Sequence, residues 1–141
     1  MKVALPLAGP VVDTHCHMDV NFDDEYVLPD VNEAMAAAKS VNVTKVIQVG
    51  CDVASSKWAA QTALEHPDVW ATVALHPNAA AHDTDLENSL LAIAELAKLP
   101  QVRGIGETGL DFYRTEGDDS LRLQQLSFEE HIRIAKENNI A

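Results

Sequence analysis

Two histidines separated by one residue stand in the segment VVDTHCHMD, which covers residues 11–19. The run before them is rich in β-branched residues, so we expect a strand that reaches His17. Side chains two apart in a strand point the same way, which places His15 and His17 together and Cys16 on the opposite face. A catalytic Cys–His pair needs the thiol and the imidazole within hydrogen-bond reach. The spacing therefore disfavours a nucleophilic role for Cys16.

The paired imidazoles can instead hold a divalent cation, because neutral imidazole is a ligand for zinc, iron, nickel or copper. Asp13 shares the face of the two histidines and could orient His15 by a hydrogen bond. The alternative is that both rings only fill the interior of the fold and bond to the backbone. A nearby carboxylate would favour the metal site over this alternative.

Glu107 is the strongest candidate for that carboxylate, and it lies in GIGETGLDF, residues 104–112. Glycines on both sides of it permit close approach of the backbone to a neighbouring strand or ligand. A buried, isolated carboxylate is unfavourable, and a shared cation would remove that penalty. The alternative is a carboxylate that is hydrogen-bonded in a tight turn. Thr108 and Asp111 are weaker candidates for any part in the site, since Asp111 could form an Asx turn as easily as support a ligand by a hydrogen bond.

Four β-branched or apolar runs predict the strands that must position these residues. They are VVDTHCH (11–17), KVIQVGC (45–51), WATVALHP (70–77) and QVRGIGETG (101–109). Helical patterns fill the gaps, and this alternation predicts parallel βαβ units, an α/β fold. Each strand ends in residues capable of chemistry, namely His15 and His17, Cys51 and Asp52, His76, and Glu107. Sites around a ring of strand ends favour part of a (βα)8 barrel over an open sheet with one switch point.

Four helices are predicted from apolar residues at helical spacing. The first follows an Asp30 cap, the second runs from Ser55 or Ser56 to His66, and the last runs from Ser120 to Asn138. The apolar faces are Val31, Ala34, Met35, Ala38 and Val41 in the first helix, Leu86, Leu90, Ile93, Ala94 and Ala97 in the third, and Leu121, Phe128, Ile132 and Ala135 in the last.

Composition limits the classes of function. The 141 residues carry 10 Lys and Arg against 22 Asp and Glu, for a net charge of −12. This charge would repel a polyanion over most of the surface, so any contact with nucleic acid must be local. Two cysteines are too few for a disulfide framework, and neither a signal peptide nor an 18-residue apolar stretch is recognisable. We therefore expect a soluble, cytoplasmic protein.

Three segments together resemble one family. DTHCHMD near the N-terminus, ALHPN after the third strand and GIGETGLDFYR after the fourth, in this order and spacing, closely resemble the TatD family of metal-dependent deoxyribonucleases. The histidine pair is shared with many amidohydrolase-like barrels, whereas the GETGLD stretch is more specific. The resemblance implies the N-terminal half of a TIM-barrel hydrolase that cleaves phosphodiester bonds of DNA. Single strands or ends of DNA are the implied substrates.

The resemblance also implies roles for individual residues. His15 and His17 match ligands of the first metal, and Glu107 matches the carboxylate that bridges two divalent ions, which would be zinc, magnesium or manganese. His76 matches the histidine of the family's HP turn near the substrate phosphate, so Glu107 and His76 are the implied catalytic residues. Arg114 follows the motif as a candidate substrate-binding cation, although a solvated surface arginine is the alternative.

The length departs from the family pattern, because a complete barrel needs about 250 residues and eight strands. Residues 1–141 are expected to form one domain of four βα units that ends before the fifth strand, so the remaining metal ligands cannot be assigned. His66, His82 and His131 are interpreted as ordinary surface residues. Exposed edges of a half barrel favour self-association.

Two other classes of function stay open. A related amidohydrolase-type barrel would use the same histidine pair to cleave an amide, a lactone or a phosphotriester. The second alternative is a catalytically inactive fragment or scaffold, and we expect the 141-residue chain alone to be inactive.

Overall fold

A computed structural model describes residues 4–20 and 30–141 of the chain. The strands are β1 (Val11–Cys16), β2 (Val43–Val49), β3 (Val69–Val73) and β4 (Val102–Ile105). The helices are α1 (Val31–Ser40), α2 (Val53–Glu65), α3 (Pro77–Ala80), α4 (Leu86–Ala97) and α5 (Asp118–Asn138). The strands form one parallel sheet in the order β1-β2-β3-β4. The predicted alternation of strands and helices is therefore confirmed.

Three of the four strands are shorter than predicted, and β2 keeps its predicted length but lies two residues earlier. β3 ends at Val73 and β4 at Ile105, so His76 and Glu107 lie just beyond their strands, as does His17 after β1. The third strand cannot continue through Pro77 because this residue begins α3, a short helix that the sequence patterns did not predict. His17, His76 and Glu107 consequently lie on the segments that leave the sheet at its carboxyl edge, and His15 is the penultimate residue of β1 before that edge.

Local signals account for the helix starts. The side chain of Asp30 accepts a hydrogen bond from Glu33 N at the start of α1, as predicted. α2 begins earlier than predicted because Asp52 and Ser55 form a reciprocal capping box. Asp52, which the sequence grouped with the residues capable of chemistry, is thus a helix cap.

The buried face of α5 differs from the predicted one. Ile132, a member of the predicted apolar face, is 41% exposed. The buried residues of this helix are Gln124, Ser127, His131 and Ile134. Leu121, Phe128 and Ala135 of the predicted face are half-buried, so the prediction is wrong for Ile132. It also missed the most buried residues because three of these four are polar.

The core lies between the sheet and the helices. Its central members are the side chains of β3, with Val69, Ala71 and Val73 at most 1% exposed. Met35 of α1 and Ile93 of α4 pack in the same cluster, which confirms the apolar faces predicted for these two helices. Among the described residues, no helix has the length and apolar character needed to cross a membrane.

Candidate metal centre

The two histidines of β1 point to a common place. Their Nε2 atoms are 3.1 Å apart, and their rings meet edge to face. The predicted convergence holds even though the pairing of β1 with β2 is irregular between Asp13 and Cys16. Asp13 accepts a hydrogen bond from the backbone N of His15, at 3.0 Å, rather than from its ring. This contact does not orient the imidazole, so the role expected for Asp13 is not observed.

Glu107 brings its carboxylate to the same place. Its Oε2 atom lies 3.6 Å from His15 Nε2 and 3.7 Å from His17 Nε2. Among the residues that the structure describes, these three form the one group of histidine, cysteine or acidic side chains close enough to share a metal ion. The structure thus brings together the three residues predicted as ligands.

The distances within this group fit a divalent cation. Donor atoms about 2.1 Å from a single zinc ion in a tetrahedral arrangement lie about 3.4 Å apart. The three separations fall close to that value, and two imidazoles with one carboxylate are a donor set used by catalytic zinc. Metal-bound histidines usually donate their second N–H to a neighbour. Nδ1 of His17 is buried and has no such neighbour within residues 4–20 and 30–141.

Gln48 supports the segment that follows the histidines. It is fully buried in β2, accepts a hydrogen bond from Met18 N at 2.8 Å and donates one to Asp19 Oδ1 at 2.7 Å. These bonds fix the backbone directly after His17. The sequence analysis did not identify Gln48, although a polar residue inside the apolar run of a central strand was an available signal.

His76 faces the other oxygen of Glu107, with Nε2 at 3.7 Å from Oε1. Its Nδ1 accepts a hydrogen bond from Asn78 N at 3.1 Å at the start of α3. A backbone N–H can only donate, so a neutral His76 carries its hydrogen on Nε2, the atom that faces Glu107. Its backbone N also donates to Cys51 O at 2.7 Å, which ties this turn to the end of β2.

The two cysteines are not poised as nucleophiles. Burial raises the pKa of the Cys16 thiol to about 12, and its Sγ donates to Ile47 O on the side away from the histidines. Burial and the neighbouring Glu107 raise the pKa of Cys51 to about 12 as well. Its Sγ lies 3.6 Å from Glu107 Oε2, so the protonated thiol donates to that carboxylate. Cys51, which the sequence grouped with the residues capable of chemistry, is therefore a neighbour of the site and not a nucleophile.

His131 was interpreted from the sequence as a surface residue, and this was wrong. Its side chain is fully buried between α5 and the ends of β3 and β4. Nδ1 lies 2.6 Å from Thr108 Oγ1, and Nε2 accepts a hydrogen bond from Leu75 N at 3.3 Å. His82, in contrast, is exposed as predicted.

The loop after Glu107 is held by hydrogen bonds between its own residues. Asp111 forms the Asx turn considered from the sequence, since its Oδ1 accepts from Tyr113 N and Arg114 N. These two bonds and the Arg114 guanidinium hold the pKa of the Asp111 carboxyl below its usual value. Arg114 itself is largely exposed, with its guanidinium 3.8 Å from Asp111. It is not part of the group formed by the two histidines and Glu107.

Comparison with solved structures identifies the architecture. YJJV, a TatD homologue from Escherichia coli K12, superposes with a TM-score of 0.69 over 92% of this chain and 48% of its own, at 24% identity. A TatD-family hydrolase from Entamoeba histolytica gives 0.68 over 95% of this chain and 48% of its own, at 17% identity. The four βα units thus form the N-terminal half of a TIM barrel, as predicted.

Sequence comparison identifies the family. A protein of Mycobacterium tuberculosis named as an uncharacterized metal-dependent hydrolase TatD is 37% identical over 89% of this chain and 47% of its own length. A 3′-5′ ssDNA/RNA exonuclease TatD of Citrobacter rodentium is 33% identical over 84% of this chain and 43% of its own. The chain therefore spans about half the length of these curated relatives. The profile of the TatD-related DNases matches residues 12–141, and the chain belongs to that family.

Proposed function

We propose that the chain supplies part of the active site of a metal-dependent hydrolase that cleaves phosphodiester bonds of DNA. The observation that carries the proposal is the approach of His15 Nε2, His17 Nε2 and Glu107 Oε2 to within 3.7 Å of one another. Relatives named as metal-dependent hydrolases and as a 3′-5′ exonuclease support this assignment.

Two divalent ions, zinc, magnesium or manganese, are the proposed cofactors. His15, His17 and Oε2 of Glu107 would hold the first ion, and Oε1 of Glu107 remains for the second. When bound, such ions lower the pKa of water to generate hydroxide and neutralise charge on the scissile phosphate. The second ion needs further ligands, and we propose that they come from the part of the relatives' length that this chain does not span.

His76 is the proposed partner of the substrate phosphate. Because its Nδ1 accepts from Asn78 N, its Nε2–H is the donor that it can offer to a phosphate bound beside Glu107. The bond fixes the ring before substrate arrives, so little ordering is needed on binding. Glu107 lies on the same side, which keeps His76 beside the carboxylate that would hold the ions.

Charge favours cleavage close to a free DNA end. The net charge of −12 opposes binding along a duplex, whereas divalent ions bound at the candidate site could still hold one phosphate. Arg114 is proposed to contact a phosphate beside the scissile one, since its guanidinium is exposed on the loop that begins at Glu107. Cleavage near a free end agrees with the name of the Citrobacter rodentium relative, a 3′-5′ ssDNA/RNA exonuclease, and we propose that class of activity for the protein that carries this chain.

The test measures release of mononucleotides from a labelled single-stranded DNA by the protein that carries this chain. Activity is expected with magnesium, manganese or zinc and should disappear with EDTA. Glu107→Gln, which keeps the size of the side chain and removes its charge, should reduce kcat at least 100-fold. Glu129→Gln on the exposed face of α5 is the matched control and should leave kcat unchanged.

The same protein should be given a small amide, a lactone and a phosphotriester. Turnover of one of these without release of nucleotides would replace the nuclease with an amidohydrolase-type activity. No turnover of any substrate and no metal binding would favour an inactive scaffold.

A further inference from the structure

His131 is a fully buried polar residue in a place where a helix normally presents an apolar side chain. Both of its ring nitrogens are paired, Nε2 with Leu75 N and Nδ1 with Thr108 Oγ1. Leu75 directly precedes His76, and Thr108 directly follows Glu107. The ring therefore contacts the immediate neighbours of two site residues that come from different strands.

The donor and acceptor of each bond follow from the chemistry of the groups. The backbone N–H of Leu75 can only donate, so Nε2 of His131 is the acceptor and its hydrogen must be on Nδ1. Nδ1–H then donates to Thr108 Oγ1 over 2.6 Å. This neutral tautomer agrees with burial, which lowers the pKa of His131 to about 4.

The His131 ring also supplies a hydrogen-bond acceptor at the point where the pairing of β3 with β4 ends. The last backbone hydrogen bond between the β3 and β4 segments, within the described part of the chain, joins Gly106 N to Val73 O at 3.4 Å. Beyond it, Leu75 N donates to His131 Nε2 and not to a residue of the neighbouring strand segment. His131 of α5 therefore satisfies a buried N–H that would otherwise be unpaired.

We propose that His131 is a positioning residue for the metal centre: by linking Leu75 to Thr108, it sets the position of the His76 ring relative to the Glu107 carboxylate. The inference rests on the proposed function, because it assigns this ring to the supporting shell of that site. Hydrogen bonds from outside the ligand set commonly change metal affinity 10- to 100-fold.

Three variants separate positioning from general stability. His131→Leu removes both hydrogen bonds and keeps an apolar side chain of similar size. His131→Gln restores them in principle, because its amide offers one acceptor for Leu75 N and one donor for Thr108. Ile134→Ala is the matched control, since Ile134 is equally buried one turn further along α5 and contacts neither partner through a hydrogen bond.

Two measurements are made on each variant. The first follows the imidazole NMR resonances of His76 in the metal-free protein, and the second measures the zinc dissociation constant by competition with a chromophoric chelator. His131→Leu should shift the His76 resonances and weaken zinc binding at least 10-fold. His131→Gln should stay within about threefold of the wild type, and Ile134→Ala should lower Tm while leaving both measurements unchanged.

The inference is overturned if His131→Leu leaves the His76 resonances at their wild-type positions, or if His131→Gln is as defective as His131→Leu. It is also overturned if Ile134→Ala reproduces the effect. A wild-type protein that binds zinc and does not cleave DNA refutes the proposed nuclease and leaves this inference standing. If the wild type binds no zinc, the metal centre is refuted and the His76 resonances still decide the role of His131.

Discussion

The two sides of the candidate site are supported very differently. His15 and His17 come from β1, an edge strand in which every residue before Cys16 is exposed. Glu107 and His76 follow strands β4 and β3, and the buried side chains of β3 lie at the centre of the core. The first side is held mainly by its pairing with β2 and by Gln48, the second by α5 through His131.

This difference indicates which half of the site is fixed in advance. A side chain whose neighbours are packed and hydrogen-bonded has little freedom left before a ligand arrives. The difference lies in the supporting strands rather than in the four side chains themselves, since His15 and His17 are 54% and 23% exposed and His76 and Glu107 are 26% and 38% exposed. We therefore expect the β3–β4 side to tolerate substitution poorly and the β1 side to tolerate it well.

The largest difference is expected between two glycines, one after β2 and one before β1. A Cβ added to Gly50 would lie 2.5 Å from Ser56 Cα, whereas one added to Gly9 would have no atom within 4 Å. Gly50→Ala should lower the free energy of unfolding by about 3 kcal/mol or more, because the backbone of α2 must move. Gly9→Ala should change it by less than about 0.5 kcal/mol. Urea denaturation of both variants measures this, and equal effects would contradict the close packing of Gly50 against α2.

The next largest effect is expected from acid, through His131 on the β3–β4 side. The pKa of His131 is about 4 in the folded protein and about 6.5 when unfolded, so between these values the unfolded state binds a proton that the folded state does not. Stability should therefore fall as pH decreases from about 6.5 to about 4, by about 3 kcal/mol in total. Denaturation at several pH values should show this slope in the wild type and in His82→Gln, whose parent residue is exposed. The slope should be absent in His131→Gln, and its persistence there would assign it to other groups.

Valine truncation compares the two strands directly. Val73 of β3 is fully buried, whereas Val12 of β1 is 41% exposed. Val73→Ala should lower the free energy of unfolding by about 2 kcal/mol, since it leaves a cavity in the core. Val12→Ala should change it by about 0.5 kcal/mol or less, as judged by thermal and urea denaturation. A large effect of Val12→Ala would show that β1 is covered, for example by self-association, which stays a prediction.

The smallest effect on stability is expected at Arg114. Its side chain is 68% exposed and its ion pair with Asp111 is long, so Arg114→Ala should change the free energy of unfolding by less than about 0.5 kcal/mol. If Arg114 contacts a phosphate, the same change should reduce the slope of log affinity against log salt for single-stranded DNA by about 1. Fluorescence anisotropy at several salt concentrations measures that slope. An unchanged slope would show that Arg114 is a solvated surface residue that does not contact a phosphate.

Local patterns in the sequence predicted much of this arrangement. The period of two placed His15 and His17 on one face, and the apolar spacing of α1 and α4 gave their buried faces. The Asp30 cap and the Asx turn of Asp111 were also accessible, because a side chain that bonds to its own neighbourhood leaves a short-range signal. Glycines around Glu107 marked it as a residue that meets another segment.

The tertiary structure alone decided what the buried polar residues do. The roles of His131 and Gln48 can be identified only from their hydrogen-bond partners. Leu75, one partner of His131, is 56 residues away in the chain. Periodicity detects apolar residues, so it missed the buried polar residues of α5 and left His131 on the surface. The sequence by itself indicated which residues could form the candidate metal centre. Only the packing of α5 against the ends of β3 and β4 determined how His76 and Glu107 are held, because hydrogen bonds between distant segments have no periodic signature.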